Sequence, residues 1–487
     1  MKSSSLSHSA QSEGKTSVVT NVHLAHSDPE SSKQLWNVIC QQGRVHRISP
    51  AENGWEGSKE WLGDVIDGRG GVLLPSLCHS HIHLDKCFIL DQCDQLASGS
   101  LKEALQVTNK AKAAFPLHLG DLYDRAARLI RESVEAGVTA MRAHVEVDAT
   151  VEFECLNVGL RLAEEWATVC DIQIAAFVHG LFNVGYGLLT VFAQEPLFSD
   201  AEATSPGPNY HLLVAAAARS GVSVVGSAPY FEPTTAQTLQ NIRLIFDLAQ
   251  LHSLHADFHL DYNLDPSTQP LIWTVIAEMR ARGWTRAASS KCVTVGHATR
   301  LGLLREEEWH RLAIDMKELP LALVGLPQSD MYMMRGATTA SRSLDVSRLW
   351  RIYGVHIAMS VNNVENAFTP QGSLDPLTLA SLGVGMFQVG AEIDWMALLR
   401  AVTISSKEAI GIVFNINQQK DDRGDLDLVP QPGEYADFII VHETRRWQSA
   451  ILNPAFSRTT VRRGNVVATR KVDRWNANMG ELEGTRV

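Results

Sequence analysis

The first fifteen residues, MKSSSLSHSAQSEGK, are polar and repetitive and carry no hydrophobic face, which predicts a disordered N-terminus over 1–15. Three short stretches then alternate apolar and polar positions, TSVVTNVHLA, QLWNVICQQGRVHRI and GVLLPSL, with turn residues between them. That two-residue period predicts a small sheet. Near residue 76 the pattern changes. Apolar runs of strand length, VTAMRAHVEV, DIQIAAFVHG, VSVVGSAPY, HADFHLDYN, CVTVGHA, LALVGLP and VHIAMSVN, alternate with segments of helical period such as DLYDRAARLIRESVEAG and LQNIRLIFDLAQLH. Repeated strand–helix units predict a parallel β/α architecture. With LLPSLCHSHIHL counted first the runs number eight, the number that closes a TIM-type (β/α)8 barrel. After DWMALLRAVTISSKEAIGI a charged linker, NQQKDDRGDLDLVPQPGE, leads to two late strand-like stretches, ADFIIVH and TVRRGNVVAT. The expected α/β organisation is a barrel over 76–419 and a small, sandwich-like β domain built from both ends, 16–75 and 420–473.

Polar residues interrupt this pattern at a particular place. His81, His83, His144, His179, Tyr230, His259, His297 and Asn362 all fall at or just past the ends of the apolar runs. In a (β/α)8 barrel the C-terminal strand ends hold the active site, so these positions predict a convergent site. His81 and His83 flank Ile82, and on a strand both rings point to one face. Two neutral imidazoles on one face can share a divalent cation; a lone His-x-His pair reads more readily as two ordinary histidines, and it is the position at a strand end, with single histidines ending later strands, that favours the cation.

Composition narrows the classes of partner. The 487-residue chain is 45% hydrophobic and carries a formal charge of -11, which argues against nucleic acid or an anionic membrane as its main partner. Its seven cysteines contain no CxxC pair, so free thiols in a reducing compartment are expected rather than a zinc ribbon or a redox dithiol. The polar N-terminus lacks the apolar core of a signal peptide, and no run of about 18 apolar residues occurs. A cytoplasmic protein acting on a small molecule follows by default; self-association is open, with no sequence feature that fixes a number.

The motif PSLCHSHIHLDKCF resembles the first-strand motif of the amidohydrolase superfamily. RAHVEVD, DIQIAAF, VVGSAPYFEP, DFHLDYN, VTVGHATRL and NNVENAFTPQGSLDPL resemble, in order, the strand-end motifs of its cytosine deaminase-like branch, over roughly residues 60 to 470. The resemblance implies one divalent metal, zinc or iron, held by two histidines of the first strand, one of the fifth and an aspartate of the eighth. A sixth-strand histidine would position the attacking water. His81, His83, His259 and His297 match those histidines one by one. The aspartate falls on Asn362, which carries no charge and cannot take the water's proton. The proton-shuttling glutamate, three residues after the fifth-strand histidine, falls on Tyr262, a group that titrates near 10. The glutamine with which the branch grips its pyrimidine is replaced in FVHGLF, where His179 stands nearest; that argues against cytosine itself.

The resemblance therefore implies a metal-dependent hydrolase of a C–N bond in a cyclic amidine, amide or amino-heterocycle. Its metal ligands would be His81, His83, His259 and Asn362; His297, Asn362 and Asp261 would carry the chemistry, and His179, Tyr262 and Asp330 would face the substrate. Asp261, Asp330 or the substrate itself would have to move protons. Asp261 reads equally as a helix cap, and Asp330, in GLPQSDMYMMRG, equally as part of a packed rim. His144 and His356 read as structural, Asp85 and Lys86 as a structural ion pair, and Cys78 and Cys87 as packing residues. The two missing carboxylates leave two rivals open: a metal-assisted lyase, decarboxylase or isomerase, and a catalytically impaired binding protein.

Overall fold

A computed structural model describes residues 16–26, 29–51, 63–178, 196–334, 343–412 and 428–473. The N-terminal 1–15, most of the charged linker and His179 lie outside the described residues. The strands, in chain order, are β1 (Thr16–Val22), β2 (Trp36–Gln41), β3 (Arg44–Pro50), β4 (Asp64–Asp67), β5 (Val72–Pro75), β6 (Leu77–His83), β7 (Val138–Glu146), β8 (Asp171–Val178), β9 (Val222–Ser227), β10 (His255–Leu260), β11 (Val293–His297), β12 (Leu321–Gly325), β13 (Ile357–Met359), β14 (Phe438–Val441), β15 (Arg458–Arg462) and β16 (Asn465–Arg470).

Strands β6 to β13 form one eight-stranded sheet in sequence order, each paired parallel to the next. Helices cover its outer face, and every residue of β6, β7, β10, β11, β12 and β13 is buried. Burial on both faces is why these strands read as apolar runs rather than as alternating ones. The ring closes through Asn362. Its N–H donates to His81 O at 3.2 Å and its carbonyl accepts from His83 N–H at 2.9 Å, which makes the bridge between Ile82 and Asn362 the contact that joins the eighth strand segment to the first.

The continuous run GVLLPSLCHSHIHL is two strands, not one. β5 ends at Pro75 and pairs antiparallel with β14, and β6 begins at Leu77 in the barrel. Proline has no N–H to continue a ladder, so the chain changes sheets at Ser76. Outside the barrel, β3-β2-β1-β4 form one four-stranded sheet and β16-β15-β14-β5 another. The second joins the C-terminal strands to a strand of the N-terminal segment, and Ser17 Oγ donates across to Gly464 O at 2.6 Å. Among the described residues, no helix is long and apolar enough to cross a membrane.

Candidate metal centre and active site

The polar residues at the strand ends do converge. His81 and His83 leave β6 toward the barrel interior, His144 stands opposite His83 in the β6–β7 register, His259 stands next to last in β10 and His297 ends β11. The rings of His81 and His259 have centroids 4.6 Å apart; His83 lies 5.4 Å from His81 and 5.2 Å from His259. Gly296 makes room for them. A Cβ there would lie 2.9 Å from His81 Cε1 and 3.0 Å from its Nδ1, closer than packed atoms tolerate. The backbone is left-handed at His297 (φ 67°), Ala298 (φ 51°) and Asn362 (φ 69°). Non-glycine residues hold that conformation only where their surroundings impose it, commonly at functional sites.

Three observations fit a divalent cation. The Nε2 atoms of His81 and His259 face each other at 2.9 Å, and two nitrogens each about 2.1 Å from one ion at a right angle would stand about 3.0 Å apart. Burial, then His144, hold His81 well below the usual histidine range, and burial, then His81 and His83, do the same to His259; the neutral form is the one that ligates metal. Finally, Asn362 is buried with its Nδ2 donating to Ser329 Oγ at 2.8 Å, while its Oδ1 has no hydrogen-bond partner. A buried carbonyl oxygen left in this state is costly unless something else meets it.

A second group lies deeper. Asp257, which the sequence reading passed over, is fully buried, with Oδ1 3.1 Å from His144 Nε2 and 4.0 Å from His81 Nδ1. Its Oδ2 accepts from Arg142 Nη1 at 3.2 Å and from Thr294 Oγ1. His144 is therefore part of the polar cluster rather than incidental: its ring lies 4.0 Å from that of His81. Ligand atoms of His81, His144, Asp257 and His259 all lie within 4.8 Å of one another. His144 sits two residues before Glu146 in RAHVEVD, yet its tie to Asp257 crosses the barrel and leaves no local signal.

A small cavity opens beside the histidines, lined by His83, His259, His297, Asn362 and Ser329 together with Lys86, Leu101, Tyr230, Tyr262, Asn363 and Phe368. It offers ≈ 20 Å³ to a water-sized sphere, enough for a water molecule. Tyr262 stacks on His297 at 3.9 Å, and its hydroxyl is buried without a hydrogen-bond partner. Burial raises that phenol well above its ordinary value, so it keeps its proton at neutral pH. Lys86 donates to Glu146 Oε1 at 2.5 Å, and Asp85 Oδ2 accepts from Glu146 N–H. The two residues thus meet through Glu146 instead of pairing with each other, and Lys86 borders the cavity.

The remaining expected residues turn away. Asp261 accepts from Leu271 N at 2.7 Å and Ile272 N at 3.1 Å, capping the helix Ile272–Ala281, with its carboxyl raised by burial to about 6. Asp330 is absent from the cavity wall; it lies buried behind His297, whose Nδ1 is 2.8 Å from Asp330 Oδ1. His356 precedes β13 at the opposite end of the barrel, 3.7 Å from Glu408. Cys78 and Cys87 are buried, their thiols pushed up to about 12 by burial.

The eight-stranded parallel barrel thus brings histidines from its first, fifth and sixth strand ends to the eighth-strand residue that closes it. No family model matches the chain. It is 23% identical over 435 residues, 88% of its length and 87% of the relative's, to a pterin deaminase of Rhizobium rhizogenes (strain K84 / ATCC BAA-868). Its structure is similar to that of 5-methylcytosine deaminase from Klebsiella pneumoniae liganded with phosphonocytosine, with a TM-score of 0.75, 22% identity, and 94% and 100% of the two chains covered. The zinc complex of atrazine chlorohydrolase from Arthrobacter aurescens TC1 is similar at a TM-score of 0.64, 16% identity, and 93% and 95% coverage. The chain is thus similar, over most of its length, to deaminases and related hydrolases, and it shares their barrel fold.

Proposed function

We propose that the protein is a metal-dependent hydrolase that cleaves an exocyclic or ring C–N bond of a small nitrogen heterocycle. The observation that carries this is the meeting of His81 Nε2 and His259 Nε2 at 2.9 Å, with His259 lining one cavity together with Asn362, whose buried Oδ1 has no hydrogen-bond partner. His81, His83, His259 and Asn362 would hold the ion. The deeper set with Asp257 is the poorer choice, because buried Arg142 already neutralises that carboxylate and would repel a cation placed against it. Asp257 instead suits a supporting role behind His81 and His144. When bound, a zinc or iron ion supplies Lewis acidity and lowers the pKa of a coordinated water.

The chain's own residues do the rest. His297 borders the cavity and is placed to exchange a hydrogen bond with water or substrate there. Once the cavity, which as it stands has room for a water molecule, widens to admit a planar ring, Tyr230, Tyr262 and Phe368 would wall it, and Lys86 and Asn363 would give polar groups that can meet ring carbonyls or nitrogens. Pterin and 5-methylcytosine, named for two of the similar proteins, are such rings. The hydrolytic reading is better supported than a lyase or an impaired binding protein, because similar proteins are deaminases and the histidine side of the site is intact.

The test is metal analysis of protein purified without chelator, followed by a screen of pterins, amino-pyrimidines, amino-triazines and cyclic amides for ammonia or amine release. About one equivalent of zinc or iron with release from at least one class is expected. Less than about a tenth of an equivalent would overturn the metal assignment, and metal without release from any class would move the reading to a non-hydrolytic one.

A further inference from the structure

Resting on that reading for its effect on rate, but not for its geometry, we propose that Asp330 is a positioning residue that fixes the ring of His297 in the Nδ1–H tautomer and turns Nε2 to the cavity. The contact is short and fully buried: His297 Nδ1 to Asp330 Oδ1 is 2.8 Å, and Asp330 has no exposed surface. The carboxylate is itself held. Its Oδ2 accepts from Ser343 Oγ at 2.8 Å and from Leu326 N–H at 3.3 Å, so neither oxygen is free for a substrate. Asp330 lies within the short helix Pro327–Met333, which follows β12.

The ring is constrained in two directions. Tyr262 stacks on its face at 3.9 Å and 29°, and Asp330 takes its Nδ1 edge. A neutral imidazole has one N–H and one lone pair, and the partner of one nitrogen decides which nitrogen carries which. With an acceptor at Nδ1 the proton sits there, and Nε2 presents its lone pair on the opposite edge. Without Asp330 either tautomer and either ring flip would be open.

Replacing Asp330 with asparagine makes a directional prediction. The amide NH2 cannot face Leu326 N–H, which only donates. It must therefore take the Oδ1 position against His297 and force the imidazole into the Nε2–H tautomer, the inverse of the parent arrangement.

The experiment uses full-length, zinc-loaded protein with ¹⁵N-labelled histidine; zinc is diamagnetic, and His297→Gln assigns the ring. The parent should show His297 with a proton on Nδ1. Asp330→Asn should move that proton to Nε2 and lower kcat about 10²–10⁴-fold with KM within about threefold. A parent His297 that is already Nε2–H overturns the proposal whether or not any variant folds. So does an Asp330→Asn protein that keeps the Nδ1–H tautomer, or one that switches tautomer yet keeps kcat within about twofold. If the parent turns over no heterocycle, the functional reading fails while the tautomer measurement still decides the role of Asp330.

Discussion

Asn362 does two jobs through separate atoms. Its backbone closes the barrel against His81 and His83, and asparagine is among the few residues that accept a φ of 69° without a glycine. Its side chain is oriented by Ser329, whose hydroxyl also meets Thr369 Oγ1 at 2.6 Å. The resemblance implied a carboxylate at this position; only the structure shows that the amide found there keeps a buried oxygen with no hydrogen-bond partner. Asn362→Asp keeps the shape and adds a charge. Affinity for zinc, read by competition with a chelator, should rise roughly tenfold or more, since ligand charge tightens a cation site. Hydrolysis should rise with it if the missing charge limits the reaction. An unchanged or weaker affinity would mean that Oδ1 does not face the ion. His81 and His83 were legible because their spacing alone puts both rings on one face of a strand. Asp257 was not, because what identifies it is His144 and Arg142 on another strand, more than a hundred residues away in sequence.

At the scale of elements, buried charge holds the helix Leu101–Lys112 to the barrel mouth. Lys112, with no exposed surface, donates to Glu146 at the end of β7 and to Asp148 just beyond, and Lys86 takes the other Glu146 oxygen. Removing one partner from such a group leaves an uncompensated buried charge, at a cost of about 3–5 kcal/mol. Lys112→Met should therefore lower the free energy of urea unfolding by that amount. Lys110, two residues away on the same helix, pairs with Asp94 in solvent, with side chains 72% and 60% exposed, and Lys110→Met should cost less than about 1 kcal/mol. Equal losses from the two variants would refute the distinction. The helix itself carries readable marks: Ser100 caps it by accepting from Glu103 N–H, and Lys110 and Lys112 stand in its last turn. Those marks say where a helix lies, but not that one terminal lysine faces water and the other is the hub of an ion network. The eight barrel strands were legible for a simpler reason, since burial on both faces writes each as a run. β5 and β6 are equally apolar, and Pro75 marks the change of sheet between them.

Across the whole molecule, two buried groups on opposite ends of the barrel oppose each other in pH dependence. His255 begins β10, with Nδ1 accepting from Cys292 N–H at 3.0 Å; burial, helped by Arg142 and Lys291, lowers it to about 3. Glu232 lies beyond β9 and accepts from Leu197 N–H, Phe198 N–H and Asn241 Nδ2; burial raises it to about 7. His255 has a folded pKa below its unfolded value, so its contribution is complete above about 6.5 and is lost as pH falls toward 3. Glu232 has a folded pKa above its unfolded value, so its contribution is complete below about 4.3 and is lost as pH rises through 7. Between pH 7 and pH 5 each is worth about 2 kcal/mol, with opposite sign. The stability of the parent relative to His255→Asn should thus fall by about that amount on going from pH 7 to pH 5, and relative to Glu232→Gln it should rise by a similar amount. Each difference is to be taken between parent and variant unfolded in urea at the same pH. This cancels the many exposed carboxylates that both proteins share, and also the constant loss of a hydrogen bond in either variant. Differences that do not change with pH would show that the two groups titrate alike folded and unfolded, and that their burial is relieved in solution. Changes of the stated signs would show that the polar groups framing β9 and β10 hold the charge states assigned to them here: a neutral histidine below the barrel, and a carboxyl near half-ionised at neutral pH above it.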